Sequence, residues 1–420
     1  MKAEILLKRK FLMLIIPLVI LGVFFWLGNK DRADFFSREF QILSKLIRRD
    51  RVVRSQFSYI KKIDEGIELL ESSSPLKFRA DRFGNLFEKQ VAFAVFNTET
   101  GEVFEKRGWI SESQAQNYRS TGIMNISMDS DGPDVSIKPN WFNSFNSDYQ
   151  IIDHPEMAVV ANKYLFVSSG LPKNKRSGTA YTDIVYVPYS GGLHVKEVVD
   201  EGIRYINQKT LTAYKDLEAL NVRSRTDSQS LVTELVSPNL IKNILLVEHV
   251  DPNSFNNAGN ERRRELLDRV LVIIGSNRER AYGFTGSPAG ASGIAQFIRP
   301  TYEYMASLYP SAKLIRDYQL GMMDHHNSIK AQVLFFDRHI ENLEESIRRQ
   351  DLVKAIGIND EMLAASYNGG PARVIQSVNQ YGLAWINLQF GTLFSSKIFR
   401  QETIDYVKKF QFVRGERVFD

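Results

Sequence analysis

Residues 241–250 have the sequence IKNILLVEHV, and this stretch decides how the C-terminal half of the chain is interpreted. As a helix it places Ile241, Ile244 and Leu245 on one apolar stripe, because residues three, four and seven positions apart share a face. Glu248 falls on the same stripe. A carboxylate there loses hydration, so its pKa should rise and it can hold a proton near neutral pH. The stretch therefore predicts either a general acid or a buried carboxylate paired with a basic residue of another helix.

The segment SPAGASGIAQFIRPT, residues 287–301, joins a run of small residues to a helix start. Glycines at 290 and 293 would let a backbone approach a ligand closely. Gln296 offers an amide that both donates and accepts, which suits sugar hydroxyl and acetamido groups. Pro300 suits the first turn of a helix. By itself the segment also fits an ordinary turn between two helices.

A third segment, AASYNGGPAR at residues 364–373, predicts a helix that ends near Asn368. The helix should break at Gly369-Gly370 and restart after Pro371. Tyr367 and Asn368 at such a helix end can direct polar groups into a cleft. Without the other segments this pattern indicates a helix break and nothing more.

Taken together, these segments resemble the catalytic domain of soluble lytic transglycosylases, a family with a goose-type lysozyme-like fold. That family carries a catalytic Glu at a helix end, then Gly-Ala-x-Gly-Leu-Met-Gln, then Ala-Tyr-Asn-x-Gly-Pro, and later Glu-Thr-x-x-Tyr-Val. The matching positions here, in the same order, are Glu248, Gly290–Gln296, Ala365–Pro371, and Glu402-Thr403 with Tyr406-Val407. Asn327 to Ala331 also match the family's Asn-Ile-x-Ala helix start. The resemblance spans about residues 235–412.

The resemblance implies cleavage of the β-1,4 bond between N-acetylmuramic acid and N-acetylglucosamine in peptidoglycan, with a 1,6-anhydro product. Glu248 would be the catalytic acid and base, and no metal or cofactor is implied. Five further residues would bind or orient the substrate: Gly293, Gln296, Tyr367, Asn368 and Tyr406.

The chain departs from the family pattern in three ways. His249 stands where the family has Ser, and Ile294-Ala295 replace Leu-Met. A helical insertion, about residues 258–282, separates Glu248 from the glycine segment and contains three other carboxylates: Glu261, Glu265 and Glu279. Glu248 is the preferred catalytic residue because it alone ends a hydrophobic helix.

Two other functions remain open at this stage. Asp251, expected on the same helix as Glu248, would supply the second carboxylate of a hydrolytic lysozyme. Alternatively, His249 and the large β-rich region suggest a non-catalytic peptidoglycan-binding scaffold within a cell-envelope assembly that has other protein partners.

Composition argues against several other kinds of function and binding site. The net charge of +5 is spread along the chain, which argues against nucleic-acid binding. The chain has no cysteine, which excludes disulfides, thiolate metal sites and cysteine nucleophiles. His325-His326 are adjacent rather than one helical turn apart, so a zinc site is not expected. The acidic loop at Asp129, Asp131 and Asp134 is interpreted as solvated.

Residues 11–28, FLMLIIPLVILGVFFWLG, form an apolar run about 27 Å long as a helix, enough to cross a bilayer. No small-residue cleavage site follows, so we expect an uncleaved signal anchor in the cytoplasmic membrane. Basic residues flank both ends, so charge does not choose the orientation. The implied substrate lies outside the cytoplasmic membrane, which places the body of the protein on the periplasmic or extracytoplasmic side.

The expected fold class is a multidomain α+β chain with an anchor at residues 1–30. Residues 31–75 would form a helical spacer, or a helix that packs on the next domain. Residues 76–195 predict a β-rich domain of unknown role, including a hairpin in which QVAFAVFN and VFEKRGW flank a turn at ETGE. Residues 196–420 predict a mainly helical, lysozyme-like domain whose motif core spans residues 235–412.

Overall fold

The computed structural model describes residues 56–83, 85–144, 146–167, 181–283, 290–382 and 398–420. Over these residues the chain is mixed α+β: strands occur between residues 78 and 186, and helices dominate from residue 196 onward. The expected anchor at residues 11–28 lies outside the described residues. Within them, no helix combines the length and the apolar character that a membrane crossing requires.

The strands and helices are numbered in chain order. The strands are β1 Phe78–Ala80, β2 Leu86–Asn97, β3 Val103–Ser111, β4 Ile126–Met128, β5 Ile137–Trp141, β6 Asp148–Ile151, β7 Met157–Val167 and β8 Tyr181–Tyr186. The first helices are α1 Tyr59–Ser72, α2 Glu112–Thr121, α3 Lys196–Ala219, α4 Val232–Leu235, α5 Pro238–His249, α6 Pro252–Asn256 and α7 Asn260–Asn277. The later helices are α8 Arg299–Leu308, α9 Tyr318–Met323, α10 His325–Ser346, α11 Gln350–Ile356, α12 Asp360–Gly369, α13 Pro371–Tyr381 and α14 Gln401–Gly415.

The predicted hairpin is confirmed as β2 and β3, which pair antiparallel with Phe96 opposite Val103. The main sheet has the order β4-β3-β2-β7-β8, and β1 also pairs with β2. Side chains of β2 alternate between two separate cores, because successive residues of a strand face opposite sides. Ala92, Ala94 and Phe96 belong to one core, and Val91, Phe93 and Val95 belong to the other.

Helix α1 covers one face of this sheet. It begins after Ser58, whose hydroxyl accepts a hydrogen bond from the Lys61 amide, and it ends at Ser72. Ile63 and Leu70 are fully buried with the sheet residues. This part of the expected spacer therefore packs on the neighbouring domain, which was the second of the two interpretations.

The inserted helix α7 packs against α3. It crosses α3 at two glycines that leave no room for a side chain: a Cβ on Gly202 would lie 2.2 Å from the Leu271 carbonyl oxygen, and one on Gly275 would lie 2.2 Å from that of Val198. At its end, the Asn277 amide bonds both the N–H and the C=O of Val187, just after β8. The insertion thus connects the sheet to the helices, and residues 55–420 form one compact unit.

The predicted helices around the motifs are confirmed, with one correction. The break at Gly369-Gly370 separates α12 from α13 as expected, and Gly370 has a φ of 83°. Asp251 does not lie on the helix of Glu248, because α5 ends at His249. Asp251 instead begins the next helix, where its carboxylate accepts a hydrogen bond from the Ser254 amide at 2.7 Å. The turn at Pro252 overrides the helical pattern that the sequence suggested.

Candidate active site

Glu248 lies in the last turn of α5, with its side chain at the edge of the helical core. The helix residues before it, Ile244 to Val247, are fully buried. Its Oε1 accepts a hydrogen bond from the Tyr406 hydroxyl at 2.5 Å. Within the described residues its Oε2 accepts none, and the residue retains partial solvent access. One oxygen is therefore fixed by the protein and the other is open to a ligand.

This environment brings the pKa of Glu248 close to neutral pH. Burial raises the pKa of the Glu248 carboxyl from 4.5 to about 7. The hydrogen bond from Tyr406 and the charge of Lys409 lower this pKa, and the charge of Glu402 raises it. Burial prevails because a desolvated carboxylate with a single donor is poorly compensated. At neutral pH Glu248 can both give up and take back a proton.

Lys409 fixes the end of the Glu248 helix. Its ammonium group donates to the carbonyl oxygens of Val247 at 2.9 Å and Val250 at 2.8 Å, carbonyls that a helix end leaves without partners. A positive charge also suits the negative end of the helix dipole. Lys409 is buried, and burial is the largest cause that lowers its pKa, against the negative charge of Glu248. Lys409 therefore positions Glu248 and favours its charged form.

Two tyrosines stack beside Glu248. The rings of Tyr367 and Tyr406 lie 6.4 Å apart with planes inclined by 19°, and Phe336 stacks on the far side of Tyr367 at 5.3 Å. The Tyr367 hydroxyl donates to the carbonyl oxygen of Ala295 at 2.5 Å. Burial raises the pKa values of both tyrosines well above 10, so both remain hydrogen-bond donors.

Asn368 joins α12 to α14 rather than extending into a cavity. Its Oδ1 accepts a hydrogen bond from the Thr403 hydroxyl at 2.8 Å. Next to it, a Cβ on Gly369 would lie 2.8 Å from the same hydroxyl oxygen, so glycine lets the two helices approach. The Asn368 amide nitrogen is not used in this contact and remains available as a donor.

The glycine segment forms a tight turn beside Glu248. A Cβ on Gly293, whose φ is 72°, would lie 2.2 Å from the Met322 carbonyl oxygen. Gln296, with a φ of 50°, donates its side-chain amide to the Gly293 carbonyl at 2.6 Å. Position 293 therefore requires glycine because α9 packs closely against it. The side-chain amide of Gln296 donates within its own turn.

His249 connects the end of α5 to this turn. Its Nε2–H donates to the Ile294 carbonyl oxygen at 2.8 Å, and its ring stacks on Tyr282 at 3.5 Å with planes 9° apart. Burial lowers the pKa of His249 to about 3, so the ring is neutral at physiological pH. Tyr282 comes from the end of the helical insertion. His249, one of the departures from the family pattern, therefore contacts the helical insertion, which is another.

Four hydrogen bonds close a ring through the four motif segments. Glu248 on α5 bonds Tyr406 on α14, and Thr403 of α14 bonds Asn368 of α12. The remaining two bonds join Tyr367 of α12 to the turn at Ala295, and the turn at Ile294 back to His249 of α5. Segments separated by more than a hundred residues are thus held around one carboxylate.

The other candidate carboxylates have different environments. Glu279 accepts from the Tyr205 hydroxyl at 2.8 Å and pairs with Lys209, and Glu265 pairs with Arg262 on the surface of α7. Glu402, one turn before Tyr406 on α14, is exposed, yet its charge acts on Glu248. Glu402, a position of the fourth motif, is therefore a second carboxylate that acts electrostatically on Glu248.

Sequence reasoning did not assign Lys409 or Tyr282 to this site, and it named Thr403 only as a motif position. Lys409 could have been found, because it lies three residues after Tyr406 on the buried face of α14, between Val407 and Phe410. Tyr282 could not, because it reaches His249 only through the folding of the insertion. Within the described residues, no cluster of three or more His, Asp or Glu side chains is placed to hold a metal ion.

Comparisons with protein-family models, with curated proteins and with solved structures found no match to this chain. The function must therefore be argued from the motif residues and from the geometry around Glu248.

Proposed function

We propose that this protein is a peptidoglycan lytic transglycosylase with Glu248 as its catalytic acid and base. The observation that carries the proposal is the carboxyl of Glu248 at the end of α5, with a pKa near 7, one oxygen held by Tyr406 and the other open. A general acid works best when its pKa lies near the working pH. The ring of hydrogen bonds joins the same segments that resemble the family, so the helical region would adopt its lysozyme-like fold.

In the proposed first step, Glu248 gives its proton to the bridging oxygen as the bond from C1 of N-acetylmuramic acid to that oxygen breaks. The acetamido group of the same sugar would stabilise the positive charge that develops at C1, as in substrate-assisted glycosidases. Tyr406 donates to the carboxylate that remains, and Lys409 attracts it electrostatically. Both interactions strengthen as Glu248 becomes charged, which is what lowers a barrier.

In the second step, Glu248 takes the proton of the C6 hydroxyl while that oxygen forms a bond to C1. The product is a 1,6-anhydro end, and Glu248 is protonated again, so the protons balance over the cycle. Ring closure competes with water because the hydroxyl belongs to the same sugar and has a high effective concentration. Asn368, through its free amide donor, and the turn at Gly293 and Gln296 are proposed to line the sugar site.

The proposal extends to the location of the protein. Residues 11–28 would anchor it in the cytoplasmic membrane, with residues 55–420 on the periplasmic or extracytoplasmic side where peptidoglycan lies. The β-rich region would then act as a platform for α3 and α7 or for partners in the cell envelope.

One observation favours a second candidate, a hydrolytic lysozyme. Glu402, on the same helix as Tyr406, is a second carboxylate whose charge raises the pKa of Glu248, and a lysozyme would use such a group to activate a water molecule. Glu402 is exposed, however, and a water-activating base needs a defined position next to the sugar. The transglycosylase is preferred because it requires only one carboxylate.

The decisive test is mass spectrometry of the soluble fragments that the full chain releases from purified peptidoglycan. Wild type should release anhydro-ended fragments, Glu248→Gln should release none, and Glu303→Gln, an exposed carboxylate on α8, should match wild type. Fragments with reducing ends, lost in Glu402→Gln, would identify the hydrolase instead. Binding to peptidoglycan without any release by wild type would favour the non-catalytic scaffold.

A further inference from the structure

A second site lies on the side of α5 that faces away from Glu248. A cavity of about 580 Å³ is lined by polar residues of α5, α14 and the first turn of α12, including Asn239, Asn243, Asp360 and Gln411, and by Phe419 of the segment after α14. Asn243 precedes Glu248 by five residues, which turns it about 140° around the helix axis. Gln411 follows Tyr406 by the same five residues on α14. The cavity is therefore separate from the candidate active site, although the same two helices form both.

Asn243 is the feature that indicates a ligand. Its exposed fraction is 7%, it lines the cavity, and within the described residues its amide makes no hydrogen bond. Neither amide atom of Asn243 is sealed in the core, so the amide faces the cavity, where a ligand can take the place of water. Gln411 lines the same cavity, is half-buried and also lacks a partner. Two unpaired amides that share one cavity fit a ligand that both accepts and donates hydrogen bonds.

The charges around the cavity favour a neutral ligand. Arg414 is engaged in a two-pronged ion pair with Glu361. Arg417 and Asp420, which also line the cavity, form an ion pair at 3.8 Å. The neighbouring Lys242 donates to Asn207 at 2.9 Å. An anion would have to displace these partners.

Asp360 adds a strong acceptor to the cavity. Its carboxylate makes no hydrogen bond or ion pair within the described residues, and burial raises its pKa. It can accept from hydroxyl groups, while the half-buried ring of Phe419 offers an apolar surface. Amides, a carboxylate and an aromatic ring around a space of this size match a saccharide of one or two rings.

We propose that this cavity is a binding site for a neutral N-acetylated saccharide, which holds a glycan strand on the face of the protein remote from Glu248. The presence of a polar ligand site rests on Asn243 and Gln411, and the choice of an N-acetylated sugar rests on the proposed function. The amides of Asn243 and Gln411 pair with the acetamido and hydroxyl groups, and Asp360 accepts from a hydroxyl. Such a site would keep the enzyme on its polymer between cleavage events.

The test is hydrogen–deuterium exchange, read peptide by peptide, on the full chain with and without N,N′-diacetylchitobiose. The chain carries Glu248→Gln to prevent turnover, and its detergent must lack a sugar headgroup. The saccharide should slow exchange in peptides covering residues 237–243 and 411–420. Asn243→Leu should weaken this protection at least tenfold in saccharide concentration, while Asn256→Leu on the exposed face of α6 should leave it unchanged.

Each outcome decides the proposal. Leu has the branched shape of Asn, is larger and extends into an open cavity, so Asn243→Leu should fold with a Tm close to that of wild type, and Gln411→Leu provides a second variant. Protection confined to peptides around residues 290–297 and 401–406 would overturn the proposal, as would protection that survives Asn243→Leu. Protection at the cavity by a peptidoglycan stem peptide but not by the saccharide would also overturn it. Wild-type activity on peptidoglycan is measured separately, so failure here leaves the Glu248 proposal intact.

Discussion

Two carboxylates in the helical region, Glu248 and Asp337, have opposite surroundings. Asp337 on α10 is completely buried and accepts three hydrogen bonds, from the Ser224 hydroxyl at 2.5 Å, the Arg225 amide at 3.0 Å and the Tyr309 hydroxyl at 2.7 Å. Glu248 accepts one, and burial raises its pKa to about 7.

The difference teaches how a structural carboxylate can be distinguished from a reactive one. Asp337 has every oxygen occupied, so it holds three chain segments together and offers nothing to a substrate. Glu248 is supported on one oxygen and open on the other, which leaves it less stable as an anion and able to exchange a proton. Each prediction below tests this contrast, and the largest expected effect comes first.

Replacing Glu248 by Gln should abolish fragment release from peptidoglycan, with a rate at least about 1000-fold lower, because the amide cannot supply a proton. Stability should not fall, because the neutral amide resembles the protonated carboxyl that the site favours. Fragment release and thermal unfolding of the same preparation measure both effects. A variant that retained a tenth of wild-type activity would remove Glu248 from the mechanism.

Replacing Asp337 by Asn should have the reverse effect. Three donors lose their charged acceptor in a buried site, so the free energy of unfolding should fall by about 3 to 4 kcal/mol. Activity per folded molecule should stay within about twofold of wild type at a temperature where the variant is folded, and urea unfolding gives the loss of stability. Loss of activity without loss of stability would contradict the structural role of Asp337.

The raised pKa of Glu248 predicts how stability varies with pH. The folded state favours the protonated carboxyl, so this contribution is complete below pH 4.5, declines as pH rises toward 7, and is constant above that. The decline amounts to at most about 3 kcal/mol, reduced by solvent screening at the exposed edge of the residue. Urea unfolding from pH 4.5 to 7.5 should show this slope in wild type and lack it in Glu248→Gln. Parallel curves for the two proteins would mean that Glu248 titrates normally.

Tyr406→Phe should move the activity profile toward higher pH. The lost hydrogen bond lowers the pKa of Glu248 in wild type, so without it Glu248 stays protonated to a pH above 7. The rate at the optimum should fall roughly 10- to 100-fold, because the carboxylate formed in the first step loses a charged hydrogen bond. Tyr118→Phe on α2 serves as the control and should leave both the profile and the rate unchanged. A fall in rate without a shift of the profile would indicate a role in packing alone.

The smallest effect is expected for His249→Ser, which introduces the residue that the family has at this position. The variant loses the stacking on Tyr282 and the bond to Ile294, which together stabilise the fold by about 1 to 2 kcal/mol. Activity should fall a few-fold, because the turn that carries Ile294 is then held to α5 less firmly. Unfolding by urea and fragment release measure the two changes. If activity instead increased, His249 would be a restraint on the site.

Much of the local structure followed from sequence patterns. The alternation in QVAFAVFN predicted the β2–β3 hairpin, and Gly369-Gly370 with Pro371 predicted the break between α12 and α13. These features depend on residues close together in the chain, so their periodicity and turn chemistry suffice.

The errors and omissions concern contacts over long sequence distances. Asp251 was placed on the helix of Glu248 as a possible second carboxylate, but α5 ends at His249 and Asp251 begins the next helix. Which carboxylate comes close to another depends on how helices pack, and that is not encoded in local spacing.

The sequence by itself determined that a carboxylate would end an apolar helix, that small residues and a helix break would follow, and that strands would precede the helices. These are properties of periodicity and of glycine and proline. Only the tertiary structure decided that Tyr406, Lys409 and His249 would fix the end of that helix. Only the tertiary structure, too, buries the Glu248 carboxyl enough to raise its pKa to about 7, against the lowering effects of Tyr406 and Lys409. The pKa of a carboxyl depends on its desolvation and on donors within a few ångströms, and most of those groups come from elsewhere in the chain.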